Sequence, residues 1–465
     1  MPNDSSTQPI INQPQVDTQP TVGTVPPPPK KKLPIKLLVI VGAVLVVVIL
    51  ALFALKFFRG SGTTSEGELI WWGLWEDEPI IKDIITDYES KNPKIKIKYV
   101  RQSKEDYRER LVNALAKGNG PDIFRFHNSW TPMLRGELDK LPAGIYSAAD
   151  FAKDFYPVAT ADLTVGSSIV GIPLEYDGLA LYINEELFEK SGKSIPTTWN
   201  ELRQTARELT VVDNKGVITQ SGVALGRTEN VDHWPEILGL MMMQNGVDPN
   251  KPTGKLAEDA LEFYTIFSKV DGVWNTTLPS STVAFASGKV AMYLGPSWRA
   301  FEIRDQNPNL RFKTVPVPQL PKTAANEPDV TYASYWVEGV SAKSVKKEVA
   351  WNFLKFLSED GNLNQFYQSA SKIRMFGEPY PKVGMATELT DHPIIGSIVN
   401  GAPYAQSWFL QSKTWDGPTG INSQINKYFE DAINLVNSGK QADEALEPVA
   451  QGVIQVLSAY GIRVQ

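Results

Sequence analysis

The sequence predicts an α/β body in two lobes behind a single transmembrane helix, and three observations predict it. Residues 37–55, LLVIVGAVLVVVILALFAL, carry no charge and are almost wholly aliphatic. From residue 68 strand and helix patterns alternate, and a second alternation starts near Ile172. Pro/Gly clusters near 171–173, 295–296 and 400–403 are candidate crossings between two lobes.

At about 1.5 Å per residue the apolar run reaches about 28 Å, close to the hydrocarbon thickness of a bilayer. Lys30, Lys31, Lys32 and Lys36 precede it and only Lys56 and Arg59 follow, which favours a cytoplasmic N-terminus and an extracellular body on the cell membrane. A cleaved secretory signal has a shorter core, about 7 to 15 residues, and a small-x-small site after it. No A-x-A follows this run, so an uncleaved anchor is favoured. The expected domains are a disordered Pro-rich tail over 1–32, the anchor over 33–58, a linker over 59–66 and the body over 67–465. Within the body, lobe 1 is expected at about 67–176 and 304–400, lobe 2 at about 177–303 and 401–465.

Six basic residues against two acidic ones give residues 1–59 a net charge of +4, so the total of −6 leaves −10 on the remainder. An acidic body argues against nucleic acid as a partner, since that binding rests on phosphate neutralisation. Cysteine is absent, which excludes disulfides, thiol nucleophiles and a lipid-bearing cysteine. The three histidines, His127, His233 and His392, are far apart in sequence. No metal or other cofactor is therefore expected, and His127 and His233 are expected as hydrogen-bonded fillers.

In chain order, 69–72 reads as a strand and 79–90 as an amphipathic helix with Ile80, Ile81, Ile84, Ile85 and Tyr88 on one face. Ile95, Ile97 and Tyr99 alternate as a second strand; Ser103 is expected to cap a helix over 103–117; a third strand spans 122–126. This alternation builds an open, mostly parallel sheet whose ligands sit beyond the carboxyl ends of its strands. In the second alternation Thr198 and Glu201 form a capping box. Helices are expected over 229–245, 255–270, 282–287, 345–359, 422–437 and 443–460, with strands over 290–294 and 311–315. Met241, Met242 and Met243 read as helix packing.

Candidate binding residues lie where such strands end: Trp75 and Glu76 after the first, Phe126, Asn128 and Trp130 after the third, Tyr176 and Asp177 at the first crossing. Arg227, Glu229, Trp298, Trp336 and Trp408 join them from the later body. Aromatic faces beside isolated carboxylates suit sugars, which pair an apolar C–H face with a rim of hydroxyls. Of the first pair of tryptophans, Trp72 is assigned to the core and Trp75 to the cleft.

The strings GNGPDIF, GIPLEYDGLALYINEELF, PTTWNEL, VAFASGKVAMYLGPSW and EVAWNFLKFLSED, in this order across residues 68–460, resemble the landmarks of family 1 extracellular solute-binding proteins, the group that includes maltose-binding protein. The resemblance implies a two-lobed, periplasmic-binding-protein-like (class II) fold that closes on a carbohydrate and delivers it to ABC transporter permease subunits, as a monomer and without catalysis. It places ligand contacts at Trp75 and Glu76, at 126–130, at Asp177, near 227–229 and at Trp298, with looser matches at Trp336 and Trp408. Two departures stand out: the lipid-bearing cysteine is missing, and the loop after Phe126 lacks the acidic-basic pair of maltose-binding protein. The alternatives are an exported carbohydrate-active enzyme using Glu175 and Asp177, which alternation puts on one face of a strand, and a ligand sensor on the same scaffold.

Overall fold

The structure, a computed structural model, describes residues 67–464 apart from 323, 325 and 326. The expected tail, anchor and linker lie outside the described residues. Among the described residues no helix is long and apolar enough to cross a membrane.

The first sheet is built from β1 (Glu68–Gly73), β2 (Lys96–Arg101), β3 (Ile123–His127) and a late strand, Trp336–Val340. Strand β1 lies between β2 and β3 and runs parallel to both, as the strand-helix alternation requires. Helix α1 (Glu78–Lys91) connects β1 to β2 and buries Ile80, Ile81, Ile84 and Tyr88, the stripe read from its periodicity; Ile85 packs on the same core half-buried. Helix α2 (Tyr107–Ala116) starts four residues later than expected. Ser103 accepts from the Glu105 N–H instead of capping the helix, and Asp106 turns the chain in with φ +51°. In β1 the core tryptophan is Trp71, and Trp72 is half-buried. Alternation along the strand sends the two side chains to opposite faces.

The second sheet contains β4 (Ala180–Asn184), β5 (Val211–Val212), β6 (Ile218–Val223), β7 (Val290–Gly295) and β8 (Phe312–Val315), in spatial order β8-β4-β7-β6-β5. Only β6 and β7 pair in parallel; β4 runs antiparallel to both β7 and β8. The Thr198–Glu201 capping box is present at the start of α3 (Trp199–Leu209). Met241 and Met242 are buried in α4 (Trp234–Gln244). Helix α5 (Lys255–Lys269) is covered by α6 (Ile421–Asn437) and α7 (Ala442–Ala459), which also pack on each other.

Because β8 belongs to the second sheet, the chain does not leave that lobe near 304 as expected. Gly295 and Pro296 end β7 rather than mark a crossing. The return to the first sheet runs over residues 316–335 and enters β9 (Trp336–Val340), which lies antiparallel to β3. Three crossing segments then lie side by side. The Leu179 N–H donates to the Tyr332 carbonyl at 3.0 Å, the Ser334 N–H to the Asp177 carbonyl at 3.0 Å, and the Ala333 N–H to the Gln406 carbonyl at 2.9 Å. Gly178 sits at this seam, where a Cβ would meet the Tyr332 carbonyl oxygen at 2.5 Å. Gly178→Ala is therefore expected to cost about 1–3 kcal/mol by forcing the first two crossings apart, read as a lower urea midpoint of unfolding.

Candidate ligand-binding cleft

Where the strands of both sheets end beside the crossings, a cavity of about 610 Å³ opens. Its first-lobe wall is aromatic. Trp336, at the start of β9, meets Trp75 edge-on at 5.3 Å, Trp130 at 5.2 Å and His127 at 5.2 Å. The facing wall carries Trp298, 39 % exposed, with the Arg299 guanidinium 4.3 Å from its ring centre and His233 against its edge at 5.8 Å. Trp415 adds an exposed ring to the cavity lining.

Beneath the first wall lies a buried ionic cluster. Arg125, on β3, pairs with Glu76 after β1 and with Glu338 on β9, the latter at 2.6 Å. Trp71 Nε1–H donates to Glu338 at 3.1 Å, the Tyr99 hydroxyl to Glu76 at 3.2 Å, and the Tyr107 hydroxyl to the Arg125 carbonyl at 2.7 Å. Burial opposes the charge on Arg125, yet Glu338 and Glu76 hold the guanidinium protonated. Its Cζ lies 4.9 Å from the Trp75 ring and so supports that indole from below.

Asp177 lines the cavity, but its oxygens are engaged: the Ser297 N–H donates at 3.0 Å, the Ser297 hydroxyl at 2.8 Å and the Gly178 N–H at 2.7 Å. Burial nevertheless pushes its carboxyl up to about 7. Glu236 is also raised to about 7 by burial; its Oε1 accepts from the Ser412 N–H, and its Oε2 makes no hydrogen bond in the protein, with His233 Nδ1 3.8 Å away. Trp130 Nε1 and Glu175 Oε2, from two other lining residues, are likewise buried without a hydrogen-bond partner. Burial, then Glu378, drives the Glu175 carboxyl well above the usual range. Glu236 Oε2, Trp130 Nε1 and Glu175 Oε2 are each a buried polar atom that the protein itself leaves without a hydrogen bond.

Both histidines that line the cavity, His127 and His233, are held neutral. Burial brings His127 down to about 3, and its ring nitrogens meet Ser129 and Ser334 hydroxyls at 2.8 and 3.2 Å. His233 is lowered by burial and by Arg299, whose Nε–H donates to its Nε2 at 2.8 Å. The proton of the neutral ring then sits on Nδ1 and points at the Ser412 hydroxyl, 2.9 Å away. A base in that tautomer cannot take the serine's proton, so the pair is no activated nucleophile.

Of the residues singled out in the sequence, Trp75, Trp130, Tyr176, Asp177, Trp298 and Trp336 line this cavity. Glu76 is fully buried under it with Arg125. Phe126 points into the core, since alternation along β3 puts Arg125 and His127 on the other face. Asn128 and Trp408 line a second cavity of about 420 Å³, where Asn128 donates to Asp162 at 2.9 Å; Trp408 donates to Asn250 at 3.0 Å. Arg227 donates to Ser268 at 2.7 Å and lies 3.8 Å from Glu229; neither lines either cavity. Sequence reasoning missed Arg125, Glu236, Glu338 and Arg299. A charged residue inside the strand IFRFH was the one available signal.

Residues 83–374 match the family model described as "Bacterial extracellular solute-binding protein". The chain belongs to that family. This solute-binding protein is 24 % identical over 299 residues to the diacetylchitobiose binding protein DasA of Streptomyces coelicolor, covering 60 % of this chain and 65 % of the relative. It is 19 % identical over 376 residues to a maltotriose-binding protein of Pyrococcus abyssi, covering 77 % of each. Among solved structures, a cyclo/maltodextrin-binding protein complexed with maltotetraose superposes with a TM-score of 0.67 at 16 % identity, over 84 % of this chain and 97 % of that one. That likeness establishes the two-lobed α/β fold.

Arg125→Met leaves Glu76 and Glu338 buried without their cation and is expected to cost about 3–5 kcal/mol in a urea titration. A second expectation concerns pH. Asp177 and Glu236, both raised to about 7, keep protons in the folded state that the unfolded chain releases near pH 4. Their contribution is therefore full at low pH and is lost as pH rises through about 7, on the order of 3 kcal/mol for each. Melting curves should show the Asp177→Asn, Glu236→Gln double variant losing less stability than the wild type between about pH 5 and about pH 8.

Proposed function

We propose that this solute-binding protein is a membrane-tethered receptor that captures an oligosaccharide between its lobes and delivers it to the permease subunits of an ABC transporter. The observation that carries the reading is the cavity itself. Trp75, Trp130 and Trp336 on one wall and Trp298 on the other offer ring faces and edges about a space of about 610 Å³, with unpaired carboxylate and indole groups between them. A pyranose presents an apolar C–H face to such rings and hydroxyls to such polar groups. The names of the relatives, binders of diacetylchitobiose and maltotriose, point to the same ligand class. Trp75, Trp130, Tyr176, Asp177, Trp298 and Trp336 are the proposed contacts.

Closure follows from contacts that a ligand makes with both walls only when the lobes approach, with the three adjacent crossings as the hinge. The uncharged run over 37–55 supplies the tether, which a chain without cysteine cannot obtain from a lipid. The enzyme alternative required Asp177 to act with Glu175. Asp177 instead accepts three hydrogen bonds from Ser297 and Gly178, which suits it to hold the crossing against the second lobe. We therefore favour binding without turnover.

Intrinsic tryptophan fluorescence should change saturably with one or more oligosaccharides in a panel that also contains amino acids, peptides and polyamines. Trp298→Ala should weaken that binding by about tenfold or more, about 1.4 kcal/mol, with the melting transition retained because the ring is part-exposed. Undiminished affinity in Trp298→Ala would remove the cavity as the binding site, and a response to peptides alone would remove the sugar assignment.

A further inference from the structure

At the base of the cleft Glu76, Glu175 and Glu378 each place a carboxylate oxygen within 4.8 Å of the other two. They come from three separate stretches: the turn after β1, the first crossing, and the loop following the helix Asp360–Ser371. Positive charge falls short here. Glu76 shares Arg125 with Glu338, and Glu378 pairs with Arg374, so two guanidinium groups face four carboxylates.

Glu175 is the group left over. It is 6 % exposed, its Oε2 has no hydrogen-bond partner, and it faces the negative charges of Glu378, Glu76 and Glu338. Its one nearby positive charge, Arg125, is already shared by Glu76 and Glu338, and a buried carboxylate short of positive charge is costly, a cost that falls when a cation sits beside it. Glu175 and Glu378 also line the cavity, so a hydrated ion can reach them from solvent.

The donor set selects the ion. It holds oxygens only, with no histidine or thiolate, which suits a hard cation. A span of up to 4.8 Å between oxygens is about twice a Ca–O bond of about 2.4 Å, whereas magnesium, at about 2.1 Å, requires a tighter cage. We propose that Glu76, Glu175 and Glu378 form a site for one calcium-like divalent cation, which ties the end of β1, the first crossing and the 374–380 loop together. The site does not depend on the carbohydrate reading.

Terbium luminescence tests it, with Tb³⁺ standing in for Ca²⁺ and the cavity tryptophans as sensitisers. The full chain is stripped with a chelator and titrated without sugar. Saturable emission that Ca²⁺ displaces, and that is lost in Glu175→Gln and in Glu378→Gln while the melting transition persists, supports the site. No saturable emission, or emission unchanged in both variants, overturns it. Stabilisation of the stripped protein by glucosamine but not by Ca²⁺ would also overturn it and assign the cluster to an ammonium group. Because no oligosaccharide is present, failure here leaves the carbohydrate reading standing, and oligosaccharide binding in chelator tests that reading separately.

Discussion

The Arg125 guanidinium, buried between Glu76 and Glu338, is the interaction on which the cleft depends. It joins two strands and the turn after a third through side chains far apart in sequence, Arg125 and Glu338 being 213 positions apart. Desolvating three charges is expensive, and the expense is offset only while each keeps its partner. Removing one partner therefore does more than delete a contact. The same guanidinium lies under Trp75, and Trp336 begins the strand that carries Glu338, so the ionic cluster fixes two rings of the aromatic wall.

A second set of carboxylates organises the crossings. Asp162 accepts from Asn128 at 2.9 Å, from the Tyr335 hydroxyl at 2.8 Å and from the Ser407 hydroxyl, which ties the end of β3 to two crossing segments. Asp177 braces the first crossing against Ser297 after β7. Asp416 accepts from the Asn422 and Ser423 N–H groups and so satisfies free N–H groups in the buried first turn of α6. Burial raises the carboxyls of Asp162, Asp177 and Asp416. Each has its oxygens engaged by several donors from its surroundings, which fixes the segments it joins.

What the sequence made legible was local. The helix stripe of α1, the capping box of α3 and the parallel order of β1, β2 and β3 each follow from a periodicity or a spacing of a few residues. Tryptophans at strand ends were legible as a group, and four of those singled out do meet in the cavity, because a strand end beside a crossing faces the interlobe space. What failed depended on pairing at a distance. Gly295-Pro296 looks like a lobe boundary, yet β8 adds to β4 beyond it through antiparallel hydrogen bonds that no local pattern encodes. Trp408 carries the same aromatic signal as Trp298, but it turns to Asn250 and the second cavity. Glu76, one position after Trp75, is buried beneath the aromatic wall against Arg125. The carboxylates of Glu76, Glu175 and Glu378 have no spacing in common, so no local pattern marks them as a cluster.

The most direct test of the central claim is a crystal structure grown with an oligosaccharide that the protein binds. The prediction is density for a sugar ring against Trp298, with hydroxyls meeting Glu236 or the Trp130 indole N–H, in the cavity floored by Arg125, Glu76 and Glu338. Density for the sugar in the second cavity, beside Asn128 and Trp408, with the cleft left to solvent, would contradict it.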